Sequence, residues 1–530
     1  MKITNIIVLL SAVLLTSCEE WLDLKPDTQA TEEQVFSTAA GYHSVLNGLY
    51  KSMGSSDLYG VELAFGMVDC MSQQYSLKIA NNVTSRQLYI DAGDFNYTSS
   101  YLTPVIESVW LAAFNVIANA NNLIQNVENA SPELFKEGEM ERNLILGEAY
   151  ACRALMHFDL LRLFAPAPVH DDNQIYVPYV DRYPNIQASG IAVKPFLEKV
   201  ITDLKKGRDL VKEWDTSDIG VGLQITGKAR FNNEFSFGTV IYDDYSNGSK
   251  IDAFFKGRGY RLNYYAITAL LARVYQYAGS GYEQDAFDCA KEVMDFQVEA
   301  YYGMESAFGK DDYSGIRRGD WDSKTDLKVI SNLIFAVYNE KAYDDLGLEY
   351  FFKKEFYSGS YPTWLVINQE VQKTFYTRSG IDESKSDYRA LNMIFYATNS
   401  QGQYPISGKW YISENEETRN ENLCVLPVIR ATEMRYIMAE YYARKGNLGE
   451  AQNILNDIRK NRGCTEKITV GSWDDFVNEL IRDARREWIS EGQLFYLYKR
   501  LDANIDFGKN VVRPMSRSEY LVPIPSNQSL

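Results

Sequence analysis

The chain has 530 residues, with 71 acidic against 54 basic side chains and a net charge of −17. No dense basic run breaks that balance. This excludes a nucleic-acid binder, where clustered Lys and Arg supply most of the affinity, and disfavours an acidic ligand, which the summed field would repel.

The first element is a targeting segment. Lys2 supplies the charge, and Ile3 to Leu15 is largely apolar but too short to span a bilayer. It ends Leu15-Thr16-Ser17-Cys18, which resembles the bacterial lipobox, in which the leader is cut before a lipidated Cys. The expected boundaries are a signal peptide over 1–17 and a single mature domain over 18–530, although the length alone would suggest more domains. Hydrophobic residues at 45% and 8 Trp suffice for one large core. Cys70, Cys152, Cys289, Cys424 and Cys464 remain in the mature chain. The number is odd and no CxxC pair occurs, so no disulfide framework is expected. Cys152 and Cys289 fall in helical patterns and read as small buried hydrophobes.

Residues 55–101 carry no helical period. Gly60, Gly66, Asn81-Asn82 and Gly93 punctuate them, which predicts loops and short strands. Helical pairs are expected over about 102–213, 260–296 and 433–462, with a C-terminal helix over about 474–500. Within 102–213, Ala151, Ala154, Leu155 and Phe158 share one face, and 194–213 is the expected partner helix. Two further insertions lie at 215–256, with Phe231, Phe235, Tyr242 and Tyr245, and at 301–426, with Tyr313, Arg317, Trp321, Tyr361, Trp364, Trp410 and Tyr411.

The clearest stretch runs from Glu433 to Arg462. Met438, Ala439 and Tyr442 recur at helical spacing, Gly446-Asn447 breaks the pattern, and Ala451, Leu455 and Ile458 resume it. Ala439 and Ala451 stand twelve apart, as the small residues of the two helices do in the tetratricopeptide unit of about 34 residues. Small residues let antiparallel helices approach, and the aromatic fills the groove beside them. Ala269 to Ala290 reads the same way around Gly279-Ser280-Gly281. One unit cannot bury its own apolar face. The expected fold is therefore mostly α, a tetratricopeptide-like helical repeat scaffold carrying irregular, loop-rich insertions.

Several segments together resemble the SusD/RagB family, surface lipoproteins of Bacteroidetes that bind nutrients. They begin with Cys18-Glu19-Glu20-Trp21-Leu22-Asp23, Lys25-Pro26, Gln34-Val35-Phe36 and Val45-Leu46-Asn47-Gly48-Leu49-Tyr50. Trp110, Asn119 to Ile124 and Arg153 to Leu160 with Phe164-Ala165-Pro166 follow. Arg485-Arg486-Glu487, Glu491-Gly492 and the Tyr520 to Pro525 ending complete the set. The resemblance spans essentially the whole chain in order. It departs from the family where Gln493 replaces the usual Arg, and Tyr496-Leu497 an Asp-Leu. It implies a lipid anchor at Cys18, exposure on the outer face of the outer membrane, and a SusC-like TonB-dependent transporter as partner. Glu19-Glu20 resembles the surface-export signal of such lipoproteins.

The same resemblance implies an oligosaccharide or polysaccharide ligand, bound by the loops ahead of the first repeats and by the third insertion. Sugar rings have apolar C–H faces, which flat aromatics cover at low rotamer cost, while polar side chains take the hydroxyls. The candidate ligand residues are Asp69, Tyr75, Asn96, Tyr97, Tyr313 and Trp321. Trp321, flanked by Asp320 and Asp322, is the hardest of them to bury. A peptide ligand, a purely transporter-binding role, and a lipid-anchored glycoside hydrolase are the alternatives. No HExxH, P-loop or GxSxG signature occurs, and His43, His157 and His170 are the sole histidines. His157 lies on a repeat face and reads as structural. A hydrolytic carboxylate pair is defined by its separation in space, about 5 to 10 Å, which a sequence does not reveal. Asp91 to Asn96 and Asp311-Asp312 match no calcium loop. No catalytic residue, metal or cofactor is expected.

Overall fold

The computed structural model describes residues 31–78, 86–185, 188–224, 230–231, 251–300, 303–308, 313, 316, 319–355, 363–508 and 511–526. The leader, Cys18, Phe235, Tyr242, Tyr245, Asp311-Asp312, Arg317 and Tyr361 lie outside them. Ten helices carry the architecture: α1 (Ala39–Met53), α2 (Thr103–Asn129), α3 (Gly138–Phe164), α4 (Val193–Asp215), α5 (Tyr264–Ala278), α6 (Glu283–Asp295), α7 (Ala431–Arg444), α8 (Leu448–Asn461), α9 (Trp473–Glu487) and α10 (Leu494–Leu501).

From α2 to α9 each helix packs on the next, so the repeats form one continuous stack. They are scattered in sequence yet contiguous in space, because the insertions leave and rejoin the stack without breaking it. The fold is thus mostly α, a helical repeat with irregular insertions. Local chemistry sets the turns. Gly446 adopts φ +79°, which favours Gly, and ends α7. Asn447 then caps α8 by accepting from the Glu450 N–H at 3.2 Å.

From Leu144 to Phe164, α3 is buried on all sides and is the axis of the core. It meets α4 at two glycines. A Cβ on Gly207 would lie 2.8 Å from the Gly147 carbonyl oxygen, and one on Gly147 2.6 Å from Val211 Cγ1. Glycine weakens a helix interior by about 1 kcal/mol; here the close approach of two backbones offsets that. Arg153 ties the same crossing, donating to both oxygens of Asp203 at 2.7 Å and to Asn121 Oδ1 at 2.7 Å. His157 is structural. Its ring stacks on Tyr179 at 4.0 Å, its Nε2 accepts from the Val180 N–H at 3.0 Å, and its Nδ1 donates to the Arg153 carbonyl at 2.9 Å. Burial and the Arg153 charge hold it neutral.

Two expectations are corrected. Among the described residues, 55–78 and 86–101 form turns and two short helices, Met67–Met71 and Gln87–Gly93, rather than strands. Their apolar residues pack into the core, and the ladder contact described there is a bridge from Tyr75 to Ile367. The C-terminal helix is two, α9 and α10. The break falls where Ser490 and Gly492 adopt φ +61° and +69°. A Cβ on Gly492 would sit 2.1 Å from the Leu63 carbonyl oxygen, so this turn is pinned against the 55–66 segment.

Four strands organise the third insertion: β1 (Leu333–Tyr338), β2 (Ile394–Asn399), β3 (Gly402–Ser407) and β4 (Val425–Arg430). β1 and β4 pair antiparallel, closing the base of the insertion, and β4 runs directly into α7. β2 and β3 form a hairpin. All five described cysteines are free and buried. No helix among the described residues is long and apolar enough to cross a membrane.

Candidate functional site

The third insertion is fixed to the repeat stack by buried charge. Glu487, at the end of α9, accepts from Arg389 Nη1 at 2.9 Å, from Arg462 Nη2 at 2.7 Å and from Thr432 Oγ1 at 2.7 Å. Arg389 also donates to Asp387 and Asp483 at 2.9 Å. Arg486 reaches Asp387 at 3.1 Å and Glu383 at 2.6 Å. Glu491 is held by Arg430 at 2.6 Å and Lys409 at 2.6 Å. Burial opposes the charged form of Glu487, but Arg462 and Arg389 outweigh it and hold its carboxyl well below the usual range. Removing one partner from such a set leaves an uncompensated buried charge. The Arg485-Arg486-Glu487 and Glu491-Gly492 motifs are therefore the anchor of the insertion.

Two aromatic surfaces stand on that anchored frame. On one side of the β2–β3 hairpin, Phe395 faces inward and Trp321 covers it at 5.1 Å, with Tyr411 at 5.2 Å from Trp321. Gly408 makes this possible, since a Cβ there would meet the Trp321 ring at 2.5 Å. Lys324 Nζ stands 4.7 Å from the same ring. Trp321 is half-buried. Tyr396, its alternate on the strand, points the other way and is 51% exposed.

Tyr350 is 49% exposed, and Arg86 caps its ring at 5.2 Å. The Tyr350 and Tyr396 chains meet at a parallel bridge from Glu355 to Thr398. Arg86 opens the short helix Gln87–Gly93, and exposed Asn96 follows that helix. An exposed flat ring capped by a guanidinium suits a ligand that is apolar on its faces and polar on its rim.

The structure corrects four of the six expected ligand residues. Asp69 and Tyr75 are brought together, but inside the core. The Tyr75 hydroxyl donates to Asp69 Oδ2 at 2.8 Å, and the Ser490 N–H to the same oxygen at 2.9 Å. Burial pushes the Asp69 carboxyl from 3.8 to about 7. Tyr97 is buried with its hydroxyl bonded to the Glu519 carbonyl. Tyr313 is buried beneath Arg462, 5.4 Å from its ring, and beside Tyr388. These side chains pin the loops and do not meet solvent. Asn96 and Trp321 do reach the surface, and Tyr350 and Tyr396 join them. Tyr396 had a readable signal: Ile394 to Thr398 is rich in β-branched and aromatic residues, and Asn399 to Gly402 supplies turn residues. Tyr350 had none. Among the described residues no cluster of metal-ligating side chains occurs. Asp91 is taken up by Gln87 and Ser99.

Comparison with known proteins defines the class. A family profile described as starch-binding, associating with the outer membrane, matches residues 20–222. A SusD-like protein P2 of Formosa agariphila is 28% identical over 171 residues. That match spans 32% of this chain and about a third, 31%, of the curated relative. The fold of a SusD-like carbohydrate-binding protein from Bacteroides vulgatus superposes with a TM-score of 0.62 at 16% identity, covering 92% of this chain and 95% of that one. Surface glycan-binding protein A from Bacteroides thetaiotaomicron, in complex with laminarihexaose, superposes at 0.61 with 15% identity, covering 93% and 97%. Over residues 20–222 the chain is thus similar to the SusD-like family, and its fold as a whole is that of SusD-like proteins.

Proposed function

We propose that this chain captures an oligosaccharide or polysaccharide at the outer face of the outer membrane and passes it to a SusC-like TonB-dependent transporter. The observation that carries the reading is the half-exposed Tyr350 ring under Arg86, with half-exposed Tyr396 on the hairpin of the same insertion, which buried charge pairs hold in place. The match of residues 20–222 to a starch-binding family profile supports a glycan as the ligand class, and the laminarihexaose complex of a fold relative supports it further. The proposed contact residues are Tyr350, Tyr396, Trp321, Asn96 and Arg86. No chemistry is required of them: a preformed surface loses little entropy on binding, and a repeating ligand gains through effective concentration.

Cys18 is the proposed anchor. Several acyl chains on one residue hold a protein firmly where a single chain binds marginally. The test is calorimetry of the soluble form, residue 19 onward, against plant, host and microbial polysaccharides. Binding to one class without release of reducing ends is the expected outcome. Silence across the panel, with stable co-purification of an outer-membrane barrel, would move the reading to a transporter-binding subunit. Reducing-end release would make it a hydrolase.

A further inference from the structure

Away from these surfaces, the repeat core holds a partly open cavity of about 40 Å³ between α3, α5, α7 and α10. Its wall includes Arg162, Arg273, Tyr277, Gln493, Tyr496 and Arg500. Four of these carry buried polar atoms with no hydrogen-bond partner among the described residues: Arg162 Nε, Arg273 Nη1, Tyr277 Oη and Tyr496 Oη. Each of the four residues is less than a tenth exposed.

A buried polar atom without a partner costs about 1–3 kcal/mol, and four around one space are not a packing accident. The guanidinium nitrogens can only donate. Burial raises the Tyr277 and Tyr496 hydroxyls, so both remain protonated and can donate as well. The acceptors nearby are already used. Glu433 gives both oxygens to Arg273 at 2.6 Å. Asp159 is bonded by Arg162 and by Tyr59, and Gln493 Oε1 accepts from Arg162 Nη1 at 3.2 Å. Arg162, Arg273 and Arg500 are each paired with a carboxylate, Asp159, Glu433 and Glu440, yet Arg162 Nε and Arg273 Nη1 keep an N–H without a partner. The guest of the cavity must be an acceptor.

We infer that this cavity is a binding site for a small monovalent anion of halide size, held by Arg162, Arg273, Tyr277 and Tyr496. The volume fits one such ion with a water or two, since a water needs about 10–15 Å³ measured this way. A groove lined by Tyr275, Glu283, Tyr441 and Arg444 shares Gln276 with the cavity. Glu440 lines that groove and accepts from Gln276 at 2.9 Å and from Arg500 at 2.7 Å. Gln493 and Tyr496 are the positions at which this chain departs from the pattern it otherwise resembles, so the site belongs to this chain's own residues.

The test uses bromide. Crystals grown in sodium bromide should show an anomalous peak within hydrogen-bond distance of Tyr277 Oη or Tyr496 Oη. Thermal unfolding at constant ionic strength should show a saturable rise in Tm of about 1 °C or more when sodium bromide replaces sodium gluconate. The double variant Tyr277→Phe/Tyr496→Phe should lose that response while unfolding no earlier than the parent in gluconate, because it deletes two unpartnered hydroxyls. Ordered water in the cavity with no anomalous peak overturns the assignment. So does a bromide response that persists in the variant. If the variant does not fold, the parent crystals decide.

Discussion

The repeat stack and the third insertion rely on buried charge to different degrees. From α2 to α8 neighbouring helices meet mostly through apolar faces, at the α3–α4 crossing through two glycines, with the Arg153–Asp203 and Arg273–Glu433 pairs added to that packing. The third insertion has short strands, turns and single-turn helices, and its base is fixed by Arg389, Arg430, Arg462 and Arg486 on buried carboxylates. A regular helix face buries enough apolar area to define its own register. An irregular loop does not, and directional charge pairs set its position instead. The stack should therefore tolerate volume-conserving changes, and the insertion should not tolerate loss of a charge.

The sharpest way to break this contrast is Glu487→Ala. It leaves Arg389 and Arg462 buried without their shared partner, and a loss of about 3–5 kcal/mol is expected in denaturant unfolding. Gly147→Leu strikes the stack at its tightest crossing and should cost about 1–3 kcal/mol by the same measurement. A substitution such as Leu455→Met, elsewhere in the stack, should cost less than about 1.5 kcal/mol. If Glu487→Ala proves no worse than Leu455→Met, the contrast fails.

The pH dependence sharpens it further. Glu383, Asp387, Glu487 and Glu491 have lowered carboxyl values, because their cationic partners outweigh burial. Their stabilisation is present above the unfolded value and is lost as pH falls through the folded one. Asp69 and Glu62 act in the opposite sense. Burial raises both to about 7, so between about pH 4 and 7 the folded state binds more protons than the unfolded state. Stability then falls as pH rises through that window. The unfolding free energy should be higher at pH 5 than at pH 8, by about 2–3 kcal/mol for each of the two groups and about 5 kcal/mol together. Asp69→Asn should reduce that decline, and Asp69→Asn with Glu62→Gln should nearly remove it. A decline unchanged in the double variant would contradict the assignment.

The smallest effect is expected at the surface. Tyr396→Ala and Tyr350→Ala should each weaken glycan affinity about five- to tenfold, roughly 1 kcal/mol. Thermal stability should hardly move, since both rings are half-exposed.

What could be read in the sequence follows the same division. The stack was legible because Ala439 and Ala451, or Ala151 and Phe158, carry their pattern within a few turns. The anchor was visible as Arg485-Arg486-Glu487, but its partners Arg389, Arg430 and Arg462 are distant in sequence and assemble only in space. The loop aromatics were read least well. Tyr75 and Tyr97 look like loop residues, yet the 55–101 segment is pressed inward by the Tyr75–Ile367 bridge and the Gly492 turn. Burial of a loop is set by what covers it, and the cover here is the C-terminal segment and the third insertion.

The most direct test of the account is amide hydrogen exchange with and without the glycan class that binds. Protection should concentrate on 319–324, 349–355 and 394–407, with the repeat helices unchanged. Protection centred instead on α5 to α8, with the hairpin unaffected, would contradict the claim that the stack positions the ligand surface without forming it.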